Sequence, residues 1–179
     1  MRKWTMDELN RLDVAAFKAA PKSKIVLVLD NIRSRNNVGA IFRTADAFRI
    51  EEIVLCGITP TPPHKDIHKT ALGATESVCW RYAKNTADAI HELKKNGAYC
   101  YAVEQVSGAE YLDELSIHTD QKAVLVLGNE VKGVSQLAID ACDTALEIPQ
   151  LGTKHSLNVA TTAGVVLWHF FRELRPTEH

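Results

Sequence analysis

At 179 residues, with 46% hydrophobic and 24% charged side chains, the chain has the make-up of one globular domain that can bury a core without staples. A formal net charge of -1 excludes a general basic field, so any nucleic-acid surface must be a local patch. The four cysteines, Cys56, Cys79, Cys100 and Cys142, stand far apart without a CxxC pair. That spacing excludes zinc-finger and disulfide-framework readings and makes reduced thiols in the cytosol the expectation.

The first segment, MRKWTMDELNRL, has neither an apolar signal core nor a membrane-spanning stretch. Thr5 and Glu8 have capping-box spacing, and Leu9, Leu12 and Ala16 share a face. A helical extension over 1–20, stopped by Pro21, is predicted ahead of one domain over 21–179. IVLVLD (25–30) is a nearly continuous apolar run, as in a strand buried on both faces. NNVGAIFRTADAF (36–48) predicts a helix with Val38, Ile41, Phe42 and Ala45 inward, and EIVLC (52–56) a strand. GITPTPPHKD (57–66) is a proline-rich loop outside regular structure. A helix over 86–97 closes on Gly97, and strands follow at 98–103, 122–128 and 145–149. The last helix is expected from about Ser156 to Arg172, with VVLWHFF (165–171) in the core. Strands alternating with helices imply an α/β domain, a mostly parallel sheet with helices on both faces.

Ligands of open α/β sheets collect beyond the C-terminal strand ends, here LDNIRSRNN, VEQVSG, LGNEVKG and IPQLGTKHS. In NNVGAIFRTADAF, Gly39 costs about 1 kcal/mol against Ala within a helix, which implies close approach by something. Asn36, Gly39, Ala40 and Arg43 share a face suited to a phosphate or an acidic partner; taken alone, a solvated face with an Asn N-cap is the favoured account of them. LVLGNEVKGVS places Glu130 between Gly128 and Gly133 on a strand-to-helix turn, without the spacing of a Walker A or GxGxxG loop. In IPQLGTKHSLNVATTAG, Ser156 is a plausible N-cap, but capping leaves Asn158, Thr161 and Thr162 unexplained. Lys154 and His155 add charge beside that helix start. His64 and His68, four apart and flanked by Lys65 and Lys69, lack a third metal ligand, so a basic, mobile, substrate-facing loop is expected and no metal.

Taken in order, these stretches resemble the SpoU (TrmH-like) family of RNA ribose 2'-O-methyltransferases in the SPOUT superfamily. Asn37-Val-Gly39-Ala-Ile-Phe-Arg43 matches its first motif and Leu127-Gly128-Asn129-Glu130-Val-Lys-Gly133 its second. Ile148-Pro149, Gly152 and Ser156-Leu157-Asn158-Val159 match its third, and KTALGATE (69–76) resembles the segment between. Gln150 and Ala160-Thr161-Thr162 depart from common family residues, which bears on pocket shape. No RNA-binding domain precedes residue 21, so target selection is expected to fall to this domain, a dimer partner or another protein.

The resemblance implies a SPOUT fold with a C-terminal deep trefoil knot, S-adenosyl-L-methionine as cofactor, and a homodimer acting on tRNA or rRNA, of which the short chain favours tRNA. It implies no membrane. By motif position, the cofactor would meet Val103, Glu104, Leu127, Gly128, Asn129, Gly133, Ile148 and Leu157. Arg43, placed by Asn37, would serve the reacting hydroxyl as base or as electrostatic partner, with Glu130, Ser156 and Asn158 orienting the ribose. Arg33, Arg35, Lys65, Lys69, Lys132 and Lys154 are candidate phosphate contacts. Methylation of a tRNA base nitrogen, or RNA binding without catalysis, are the alternatives. A Rossmann dehydrogenase ranks behind them for want of GxGxxG.

Overall fold

The computed structural model describes residues 1–5, 7–9 and 11–176. Seven strands form a sheet in the order β3-β2-β1-β6-β4-β7-β5, with every pair parallel. They are β1 (Ser23–Asp30), β2 (Ile50–Cys56), β3 (Trp80–Ala83), β4 (Ala98–Val103), β5 (Glu110–Tyr111), β6 (Lys122–Leu127) and β7 (Thr144–Glu147). The helices are α1 (Val14–Ala19), α2 (Arg35–Ala47), α3 (Lys65–Ala71), α4 (Ala74–Ser77), α5 (Thr86–Lys95), α6 (Gln136–Ala141) and α7 (Val159–Leu174).

The period of two along the strands divides the core between two layers. Ile25, Leu27 and Leu29 of β1 face α2 and α7, while Val26 and Val28 pack with Ile90 of α5 and Ala138 of α6. This two-sided cover is why 25–30 reads as unbroken apolar sequence: its residues are at most 1% exposed. That includes Asp30, a carboxylate at the inner end of a central strand.

On α2, Val38, Ile41, Phe42 and Ala45 point inward as expected. The helix is capped by Ser34, whose side chain accepts from the Asn37 N–H, so it starts at Arg35, one residue before Asn36. What approaches Gly39 is α3: a Cβ there would overlap the Ile67 carbonyl and the Thr70 hydroxyl. Thr70 Oγ1 donates to the Asn36 carbonyl at 3.0 Å across the same contact. Residues 65 and 66 therefore belong to a packed helix rather than to a mobile loop. His64 starts it as N-cap, its Nδ1 accepting from the Asp66 N–H, and Ile67 and Ala71 are buried.

The N-terminal segment departs from one continuous helix. The capping box forms, with the Thr5 N–H donating to Glu8 at 2.8 Å and the Glu8 N–H donating to Thr5 Oγ1 at 3.4 Å. It opens only a 3-10 turn, Asp7–Leu9. Asp13 then begins α1 separately by accepting from the Ala16 N–H at 2.7 Å. Leu9 and Leu12 are exposed and Phe17 is the buried anchor, so the 9, 12, 16 face has nothing to pack on among the described residues. Residues 6 and 10 of that expected helix lie outside the described residues.

α7 starts at Val159, not Ser156, because Asn158 is the cap: its Oδ1 accepts from the N–H groups of Ala160 and Thr161. Val166, Leu167 and Phe170 are buried, whereas Val165 and Trp168 face outward at 40% and 55% exposure. VVLWHFF is thus amphipathic rather than wholly core.

Candidate functional site

The C-terminal ends of β4, β6 and β7 open into one cleft of ≈ 500 Å³. Its inner edge is a turn that β6 makes as it leaves the sheet. After Leu127 the chain doubles back, and Asn129 and Gly133 exchange two backbone hydrogen bonds of 2.9 Å. The Asn129 side chain fills the turn, its Oδ1 accepting from the N–H groups of Val131 and Lys132 at 2.9 and 3.1 Å. Its Nδ2 donates to the Asn31 carbonyl at 2.7 Å, tying the turn to the end of β1. Gly133 has φ +68, a left-handed backbone that favours glycine, and a Cβ there would overlap Glu104 Oε2. Glu104, just past β4, accepts the Val134 N–H at 2.7 Å.

Glu130 projects from the same turn to the N-terminus of α2. It accepts the Arg33 and Ser34 N–H groups at 2.9 Å each and Asn37 Nδ2 at 3.1 Å. Burial pushes its carboxyl up, but the bonds from Arg33, Ser34, its own amide and Asn37 together outweigh this and hold it below the ordinary carboxylate value. Asn37 Oδ1 in turn accepts from Asn158 Nδ2 at 3.2 Å. One chain of polar contacts thereby joins the second, first and third sequence motifs. Glu130 is accordingly held by protein donors on both oxygens, as a junction between elements.

All eight positions expected to meet a cofactor line this cleft: Val103 and Glu104 at the end of β4, Leu127 ending β6, Gly128, Asn129 and Gly133 from the turn, and Ile148 and Leu157. Glu130, Ser156, Asn158 and Lys132 line it as well. Asn37 reaches it only through its bonds to Glu130 and Asn158. Arg43 is exposed two turns along α2 and is not part of the lining. Arg33 and Arg35 are exposed at the start of α2, Lys65 and Lys69 on α3, and Lys154 on the segment before α7. The structure does not gather these five into the cleft lining; they stand on separate elements.

Gln105, Leu146, His155, Val159 and Thr162 also line the cleft, as does Gln150. Position two or three residues past a strand end is the signal that could have found Gln105. Thr162 Oγ1 donates back to the Asn158 carbonyl at 3.2 Å, which accounts for it as a helix-start residue. The polar opening of α7 is therefore exposed to the cleft rather than buried. Among the described residues no three His, Cys, Asp or Glu side chains are grouped to hold a metal ion, and no helix is long and apolar enough to cross a membrane.

Residues 24–168 match the model of the SpoU rRNA Methylase family. A protein of Staphylococcus aureus (strain COL), assigned by name to the TrmH family of tRNA/rRNA methyltransferases, is 31% identical over 148 residues, 83% of this chain and 58% of its own. The crystal structure of an AdoMet-bound rRNA methyltransferase from Sinorhizobium meliloti has a TM-score of 0.79 at 26% identity, over 89% of this chain and 61% of that one. That of the A. aeolicus TrmH/SpoU tRNA modifying enzyme has a TM-score of 0.76 at 25% identity, over 85% and 76%. The chain thus spans less than two thirds of the length of the Staphylococcus relative.

Proposed function

The chain belongs to the SpoU rRNA Methylase family, and from that premise we propose that it is an S-adenosylmethionine-dependent RNA methyltransferase acting on a ribose 2'-hydroxyl, tRNA being favoured over rRNA. The observation that carries this reading is the Asn37–Glu130–Asn158 junction at a cleft lined by every expected cofactor position.

The cofactor fits the residues present. A cleft of ≈ 500 Å³ lies within the range of small-molecule sites, about 300–1,000 Å³. Val103, Ile148 and Leu157 offer apolar surface for a base, and the backbone at Gly128 stands at the cleft wall. When bound, S-adenosylmethionine supplies a methyl group on a positively charged sulfur.

The chain's own residues then have to align a poor nucleophile and stabilise charge on it. Ser156 and Asn158 orient the ribose, and Glu130 fixes Asn37 and the start of α2 relative to the cleft. Arg43, on that same helix, supplies positive charge to the developing alkoxide and the adjacent phosphate. An arginine holds its proton through the neutral range, so an electrostatic role suits it better than that of a base. Lys132 at the rim, Arg33 and Arg35, Lys65 and Lys69 on α3, and Lys154 contact RNA phosphates. Val103, Asn129 and Gly133 shape the cofactor side.

A cytosolic homodimer is part of the same proposal. Trp168 lies 5.9 Å from Phe48 and 6.2 Å from Phe171 between ring centres, an aromatic face that a second copy would cover. The C-terminal trefoil knot implied by the family resemblance completes it. The test is incubation with labelled S-adenosylmethionine and tRNA or rRNA, followed by nucleoside mass spectrometry. 2'-O-methyl nucleosides are expected; a methylated base would move the acceptor to a base nitrogen. Calorimetry finding no cofactor binding would leave an RNA-binding module.

A further inference from the structure

Two carboxylates at strand ends meet consecutive amides of the cleft turn. Glu104, after β4, accepts the Val134 N–H at 2.7 Å, and its other oxygen accepts the Gln105 N–H at 3.0 Å. Asp30, ending β1, accepts the Ser135 N–H at 2.7 Å through Oδ2. Its Oδ1 accepts from Asn31 Nδ2 at 2.8 Å and from the Thr86 hydroxyl at 2.5 Å. Asp30 is 1% exposed and does not line the cleft, so no ligand reaches it.

A carboxylate in so buried a position is costly unless donors satisfy it, and each charge-assisted bond is about twice as strong as a neutral one. The peptide held this way lies directly on Gly128, where a Cβ would overlap the Gly133 carbonyl carbon and the Val134 nitrogen. No side chain intervenes to absorb a shift. Movement of residues 133–135 therefore passes straight to the cleft wall at Gly128.

We propose that Asp30 and Glu104 are positioning residues, a two-carboxylate clamp on the 128–135 turn that presets the cofactor wall, with Asp30 acting wholly from inside the protein. The proposal rests on the methyltransferase reading for its functional consequence, and extends it to a residue outside the cleft.

The test uses Asp30→Asn and Glu104→Gln, with Thr86→Val as the control that removes a donor to Asp30 away from the turn. Binding of S-adenosylmethionine is measured by calorimetry, and hydrogen exchange of the 128–135 amides is measured in the free protein. Each carboxylate variant should weaken cofactor binding about tenfold, the scale of one hydrogen bond to a charged group. Each should also speed exchange at Val134 and Ser135, while Thr86→Val stays within about twofold on both. Unchanged binding and exchange in both carboxylate variants would overturn the clamp. An effect of Glu104→Gln alone would overturn it too, by giving Glu104 a direct ligand contact. Wild-type protein that binds no S-adenosylmethionine would sink the methyltransferase reading instead, and the exchange rates would still decide the clamp.

Discussion

Gly39 and the Gly128–Gly133 pair look alike in sequence, each a glycine within a motif, yet they do different work. At Gly39 the neighbour is α3, so the missing side chain lets two helices touch away from the cleft. At Gly128 and Gly133 the neighbours are the turn's own backbone and Glu104, so the missing side chains shape the wall of the cleft. A glycine reports that some backbone or side chain comes close; whether a ligand is involved depends on which side of the sheet ends it occupies.

The sharpest way to break this division is Arg43→Ala. Arg43 shares α2 with Gly39 but is exposed, so methyl transfer should fall by roughly 10²–10³ while the melting temperature barely moves. Loss of stability with retained transfer would put Arg43 on the packing side. Gly39→Val is the converse, expected to cost about 1–3 kcal/mol by overpacking α3, with the folded protein still binding cofactor. Urea unfolding with calorimetry separates the two effects.

A smaller effect attaches to Glu130→Gln. Because the folded carboxyl is held below its ordinary value, its stabilisation is present above that value and fades as pH falls through the lowered one. The stability gap between wild type and variant should therefore close in acid, and a gap that widens on acidification would contradict the assigned bonds. The side chain is exposed, so the gap is modest. Smallest is Lys132→Ala at the rim, which should weaken RNA binding severalfold and flatten the salt dependence by about one unit of slope. An unchanged slope would remove Lys132 from the phosphate contacts.

The central strands were legible because burial on both faces writes itself as unbroken apolar sequence, as at 25–29 and 123–127. The edge strands β3 and β5 were not. Trp80–Ala83 is only half-buried and Glu110–Tyr111 is two exposed residues, so neither carries a pattern. The short α3, α4 and α6 were missed for the same shortage of length. Asp13 and Asn158 each restart a helix by a local side-chain bond that competes with the preceding turn, which periodicity cannot register. The cleft positions were readable through the motifs, but Asp30 was not. Its donors at Thr86 and Ser135 lie 56 and 105 residues away, and only the folded chain brings them to one carboxylate.

Asn158 caps α7 with one side-chain atom and reaches Asn37 with another, across 121 residues of sequence. Seen from the ribosome, that spacing is a timer. Chains emerge at about 5–20 residues per second, so α2 waits several seconds before its last polar partner exists. The bond between the first and third motifs is thus among the last side-chain contacts of α2 that the growing chain can make.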